Sequence, residues 1–310
     1  MNNPSIPKNT DTFLKSSHFR FKYLSTWLGI LCLFLISKMP MRFTFKLGKI
    51  LGLLLYKVAK RRRKIAEQNI KLCFPEKKSK EINFLVKENF INFGIGIFEM
   101  ALGWWASDKR IKNIKTSFVN KKEIEDLEKN KEGVLVLIKH STHLELDLRL
   151  LSRDLSLGGM YRPQNNLVIN HFMIKARNSI FTGVVNRSET KKAIRWIKEG
   201  LKFLYAADQD YGEQVSEFIS FFGHKAATVK LPAYFATQNI RTVFLNVDRK
   251  DLSYQIELIE LNTGLKSDDF LKSMNNEYEK VINNFPEQYL WVHRRFKSSK
   301  ELGKEFYPSK

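Results

Sequence analysis

The chain of 310 residues carries 53 Lys and Arg against 32 Asp and Glu, a formal charge of +21, with 43% hydrophobic and 13% aromatic residues. That apolar share excludes general disorder and suffices for one large α/β domain with or without a small appendage. Two cysteines, Cys32 and Cys73, exclude a disulfide framework and a thiolate metal site. The positive charge attracts polyanions, but does not choose between nucleic acid, anionic lipid, sugar phosphate and an acidic protein.

Residues 23–36 read YLSTWLGILCLFLI, with Lys22 before and Lys38 after. The run falls just short of the roughly 17–25 residues of a full span. It reads as a single-span anchor, an interfacial or re-entrant anchor, or a buried core helix. Tyr23 and Trp27 suit a membrane interface, and no small-residue site comes after the run to mark a cleaved signal peptide. Residues 43–70 come next. Leu47, Ile50, Leu54 and Val58 lie there at helical spacing beside Lys46, Lys49, Lys57 and the basic cluster 60–64. This is a basic amphipathic helix, lying on an anionic membrane or packed as a surface helix. Basic residues are denser after the apolar run, which places the larger part in the cytoplasm. The expected division is a membrane anchor at 1–45 and an enzyme domain at 46–310.

The rest alternates. A helical pattern covers 84–106. Residues 133–139, GVLVLIK, form a buried strand, and Leu144, Leu148, Leu151 and Leu155 then recur at helical spacing. Further strands are expected at 157–162, 180–185, 202–206, 218–222, 241–247 and 254–261, with helices at 191–200, 227–238 and 268–284. This alternation predicts an α/β fold: a central mixed, largely parallel sheet flanked by helices, with an N-terminal hydrophobic membrane-anchoring helix. Sites in such sheets sit at the carboxyl ends of strands.

The most informative stretch is Lys139-His140-Ser141-Thr142-His143-Leu144-Glu145, directly after the buried strand. A strand-to-helix bend brings His140 and Glu145 together better than one continuous helix would. A hydroxyl nucleophile needs a base, imidazole titrates near neutrality, and a carboxylate on its other nitrogen fixes the tautomer. Three other readings stand beside this one. Thr142 and Glu145 form a capping box, His140 is a satisfied strand-end histidine, or His140, His143 and Glu145 hold a metal. Asp208 and Asp210 come after a strand candidate, so they face the site, cap the loop or pair with an arginine.

His-x-x-x-x-Glu after a strand resembles the first block of the lysophospholipid acyltransferase superfamily. Taken with segments further along the chain, it resembles that superfamily's late acyltransferases of bacterial lipid A synthesis. Tyr161-Arg162-Pro163 is similar to a Tyr-Arg-Pro segment of that family, and Arg177 matches an arginine the family needs. Gly183 to Arg187 resembles the second block, Gly-x-x-x-Arg, associated with acceptor phosphate. Ala207-Asp208-Gln209-Asp210-Tyr211-Gly212 resembles Pro-Asp-x-Asp-Tyr-Gly, and the 286–297 stretch resembles the closing signature, with His293 and Arg294 inside it. The chain departs from the family at Ser141, where an aromatic is usual, at the extra His143, and at Ala207.

The resemblance implies acyl transfer, without cofactor or metal, from an acyl carrier protein thioester to the hydroxyl of a 3-hydroxyacyl chain on Kdo-lipid IVA, at the cytoplasmic face of the inner membrane. It implies His140, Glu145, Arg177 and Asp208 as catalytic residues. Arg162, Arg187, Asp210, Tyr211, His293 and Arg294 would bind substrate, with anionic inner-membrane lipid as a further partner and nucleic acid as none. A glycerophospholipid or other glycolipid acceptor would use the same chemistry. A non-catalytic basic protein would explain the charge but not the histidine motif, and no zinc finger, RNP-type motif or basic zipper is present.

Overall fold

The computed structural model describes residues 13–309. Two helices lead in, α1 (Leu24–Ile36) and α2 (Met41–Val58), followed by α3 (Lys60–Cys73), the long α4 (Ser79–Trp105) and short α5 (Asp108–Lys112). The α/β part runs β1 (Thr116–Phe118), α6 (Lys121–Lys129), β2 (Val134–Ile138), α7 (Leu144–Leu151), β3 (Leu157–Tyr161), α8 (Leu167–Ile180), β4 (Gly183–Asn186), α9 (Thr190–Lys198) and β5 (Lys202–Ala206). A hairpin, β6 (Ser216–Phe221) and β7 (His224–Val229), precedes α10 (Leu231–Thr237), β8 (Thr242–Lys250), β9 (Ser253–Leu261) and α11 (Ser267–Asn284).

Seven strands form the main sheet in the order β1-β9-β8-β2-β5-β3-β4. From β8 to β4 every pairing is parallel, and β9 runs antiparallel to β8. The fold class is the α/β sheet expected, mostly parallel and flanked by helices. In β2 all five side chains, Val-Leu-Val-Leu-Ile, are buried, as a strand covered on both faces requires. Apolar clusters lie on its two sides, one with Trp196, Phe203, Phe244 and Met274, the other with Leu146, Leu150, Val184 and Tyr254.

Three expectations shift. The helix expected over 227–238 begins instead inside β7, where Ala227 pairs with Phe218. Pro232 sets the later start of α10, since its missing N–H costs nothing in a helix's first turn. The strand expected from Ile180 begins at Gly183, because Ile180 is the last residue of α8. The helix expected over 43–70 breaks at Ala59, whose φ of −84° and ψ of 54° are not helical.

The N-terminal region corrects the single-span reading. α1 has 13 residues, about 20 Å at 1.5 Å per residue, against a hydrocarbon core of about 30 Å. Among the described residues no helix is long and apolar enough to cross a membrane. α1 rests on the protein through Ile30, beside Trp27, Trp104, Trp105 and Phe172. The 45/46 boundary falls inside α2, and residues 1–12 lie outside those described. α2 buries Thr44, Phe45, Gly48 and Gly52 against α4. A Cβ on Gly94 would overlap the backbone of Gly48 and Gly52, so glycine sets the distance between these helices.

Candidate active site

Parallel pairing of β2 with β5 puts Ile138 opposite Ala206. Two residues beyond each lie His140 and Asp208, which meet past the carboxyl edge of the sheet. The Asp208 carboxylate accepts the His140 backbone N–H at 2.8 Å and faces His140 Nδ1 at 2.5 Å. Burial pushes the Asp208 carboxyl up. The attraction and hydrogen bonds of His140, helped by the Arg295 guanidinium, prevail and hold it below its ordinary value. An ionised Asp208 fixes the Nδ1–H tautomer and leaves the lone pair on Nε2. His140 Nε2 makes no hydrogen bond among the described residues, and the side chain keeps 17% of its surface exposed.

The carboxylate on the imidazole is therefore that of Asp208, not the expected Glu145. Glu145 accepts Trp104 Nε1 at 3.0 Å and pairs with Arg177 of α8. The capping box is absent as well: Thr142 N–H donates to the Gln288 carbonyl at 2.7 Å, and Thr142 Oγ1 is buried without a partner. The α7 entry is shaped by α4 instead. Cβ atoms on Gly96 and Gly103 would collide with the carbonyls of Thr142 and Glu145.

Both ring nitrogens of His143 are partnered. Its Nδ1 meets Asp147 at 2.6 Å and its Nε2 meets Gln288 Oε1 at 2.9 Å, inside the protein. Ser141 Oγ donates to the same Asp147 at 2.5 Å. Among the described residues no group of three His, Cys, Asp or Glu is placed to hold a metal ion.

Arg162 and Arg187 come directly after β3 and β4, whose last residues Tyr161 and Asn186 are paired. Both are exposed at the same sheet edge as His140 and form no ion pair among the described residues. Arg177 is held by Glu145, with its Nε buried and unpartnered. Asp210 is taken up by contacts within the protein. It accepts Gly212 N–H at 2.9 Å and both the N–H and hydroxyl of Ser298, tying its loop to the tail. The Tyr211 hydroxyl donates to the Ala206 carbonyl at 3.0 Å. Burial, with the nearby His140 adding to it, pushes the His293 imidazole down to about 4. It is thus neutral at pH 7, and any contact it makes with substrate would be that of an uncharged ring. Arg294 donates to the Pro308 carbonyl at 2.9 Å and lies over the Tyr307 ring.

Sequence reasoning missed Trp104, Tyr278 and Tyr289. The Tyr278 hydroxyl donates to Ile138 O at 3.0 Å and accepts Ala207 N–H at 3.1 Å, joining the ends of β2 and β5. The Tyr289 hydroxyl donates to Asp208 O at 3.1 Å. No spacing along the chain marks these contacts. The usable signal was the equal two-residue offset of His140 and Asp208 from two apolar strands.

A family model described as bacterial lipid A biosynthesis acyltransferase matches residues 13–298. The chain is 33% identical to the lipid A biosynthesis lauroyltransferase of Escherichia coli, over 90% of this chain and 94% of that protein. It is 28% identical to the palmitoleoyltransferase of the same organism, over 89% and 92%. A lipid A biosynthesis acyltransferase of Haemophilus influenzae is 27% identical over 96% of both chains.

Proposed function

The chain belongs to the bacterial lipid A biosynthesis acyltransferase family and is an acyltransferase; on that premise we propose its donor, acceptor and mechanism. It moves a fatty acyl chain, lauroyl or one of similar length, from acyl carrier protein to the hydroxyl of a 3-hydroxyacyl chain on Kdo-lipid IVA. The reading rests chiefly on the His140–Asp208 pair at the carboxyl edge of a largely parallel sheet.

His140 Nε2 takes the acceptor hydroxyl's proton while Asp208 stabilises the imidazolium that forms. The oxygen attacks the thioester carbonyl carbon. The tetrahedral oxyanion collapses to the ester, and the carbon–sulfur bond breaks. The thiolate, of pKa about 8.5 when free, leaves readily and recovers the proton from His140. No acyl-enzyme forms. Arg177, held by Glu145, which Trp104 braces in turn, supplies positive charge at the start of α7. Arg162 and Arg187 receive acceptor phosphate at the strand ends, where a guanidinium binds two oxygens at once.

The exposed side chains of α1 and α2 support a location at the membrane. Leu28, Leu31, Phe43, Ile50, Leu54 and Val58 are exposed, with Lys46, Lys49 and Lys57 among those of α2. A helix of this kind lies in the interface of an anionic bilayer with its apolar side down. The enzyme is thus monotopic on the cytoplasmic face of the inner membrane, and its net charge of +21 suits both that surface and an acidic carrier protein.

The test is incubation of the protein in membranes with lauroyl-acyl carrier protein and Kdo-lipid IVA, with product mass as the readout. A gain of one lauroyl group, lost in His140→Ala, supports the reading. Acylation of lysophosphatidate but not Kdo-lipid IVA keeps the chemistry and replaces the acceptor.

A further inference from the structure

The segment from Glu287 to His293 lies across the His140 loop like a strap. Ser141 and Tyr289 form an antiparallel bridge, with Thr142 N–H on Gln288 O at 2.7 Å and Leu290 N–H on His140 O at 3.0 Å. The Gln288 amide makes two further bonds to the backbone of Arg249, its Oε1 accepting N–H at 2.9 Å and its Nε2 donating to O at 2.8 Å. The strap thus touches the loop of the base, the carbonyl of its carboxylate partner and β8.

Two buried asparagines hold the strap from behind. Asn89 of α4 donates to the carbonyls of Glu287 and Tyr289 at 2.8 and 2.7 Å. Asn69 of α3 donates to those of Trp291 and His293, both at 2.7 Å. Asn69 and Asn89 are 0% and 1% exposed. An unpaired carbonyl at that depth costs about 1–3 kcal/mol. One amide serving alternate carbonyls meets that cost and also fixes the strap's register.

We infer that Asn89 and Tyr289 are positioning residues, which hold the His140 loop against Asp208 in the geometry that general-base catalysis requires. The inference rests on the acyl-transfer reading above. Neither residue takes part in proton transfer. Asn89 sets where the strap lies, and the Tyr289 hydroxyl ties the strap to Asp208 itself. Displacement of a reacting group by about 1 Å costs on the order of 100-fold in rate, so a loosened strap lowers turnover rather than binding.

The experiment compares wild type, Tyr289→Phe, Asn89→Leu and His140→Ala, with kcat and KM expressed per folded molecule and thermal midpoints measured alongside. Tyr289→Phe keeps the ring packed on Trp291, 4.8 Å away between centroids, and removes only the hydroxyl. The expected result is a kcat about 10-fold lower in Tyr289→Phe and about 100-fold lower in Asn89→Leu, with KM for both substrates within about twofold of wild type. A second readout needs no substrate: the downfield proton resonance of His140 Nδ1–H in 15N-histidine-labelled protein, assigned by its loss in His140→Ala. It should broaden or move upfield in both strap variants. Wild-type kcat together with an unmoved resonance in Tyr289→Phe overturns the proposal, whatever happens to thermal midpoints. If wild type fails to acylate Kdo-lipid IVA, the functional reading falls, and the resonance alone decides the role of the strap.

Discussion

At the scale of single residues, the two carboxylates near His140 divide the work unequally. Asp208 is fully buried and bonds both the ring and the backbone of His140, so Asp208→Asn should lower kcat by about 10²-fold or more by favouring the wrong tautomer. Glu145 holds Arg177 and Trp104 instead. Glu145→Ala should therefore raise KM for the acceptor more than it lowers kcat. Steady-state kinetics decides between them: a kcat loss in Glu145→Ala equal to that in Asp208→Asn, with KM unchanged, would return Glu145 to the role of the base's partner. His293 makes a separate prediction. Its imidazole titrates at about 4 in the folded protein and near 6.5 when unfolded, so between those values the unfolded chain binds more protons. Stability then rises with pH across that window and is steady above it. The full effect is roughly 3 kcal/mol at about 1.4 kcal/mol per unit. Thermal midpoints measured from pH 4.5 to 7.5 should climb less steeply in His293→Gln than in wild type.

At the scale of elements, what was legible depended on whether the signal was local. Strand β5 was expected over the residues it occupies, because Lys202–Ala206 is a short apolar run with turn residues on both sides. The His140 and Asp208 positions were both legible as candidates, but not as partners. Their proximity comes from β2 and β5 being neighbours in the sheet, a property of topology that chain spacing does not encode. The β6–β7 hairpin hid its second strand because Ala226 and Ala227 read as helix formers, and cross-strand pairing overrode that propensity. Helix α4 shows the reverse case, a long helix legible in pattern whose role lies in its glycines. Gly94 admits α2, while Gly96 and Gly103 admit the His140–Glu145 segment. Gly96→Ala should gain helix propensity of up to about 1 kcal/mol yet lose activity by 10-fold or more, as the Thr142 carbonyl is displaced. Gly29→Ala on α1, where an added Cβ meets nothing within 4 Å, should change neither activity nor thermal midpoint.

At the scale of the whole molecule, α1 and α2 give the protein one apolar side and the sheet edge gives it a polar, basic one. Each apolar side chain withdrawn from water contributes about 1.5–3 kcal/mol. Ile50→Glu with Leu54→Glu should accordingly weaken binding to anionic vesicles at least 10-fold in a sedimentation assay and leave the thermal midpoint unchanged, since both residues are exposed. The long separations within the site carry one more consequence, for synthesis on the ribosome. His140 meets a carboxylate 68 residues further along the chain, and His143 meets an amide 145 residues further along. As the polypeptide emerges, the Val134–Ile138 segment is complete long before either flanking strand exists, so a stretch buried throughout in the finished protein is left uncovered. Chains of such high contact order fold slowly and aggregate from partly made states. Substitutions in α11 should therefore reveal themselves first as a lowered yield of intact protein, rescued by slower translation or by chaperones, and only afterwards as a defect in turnover.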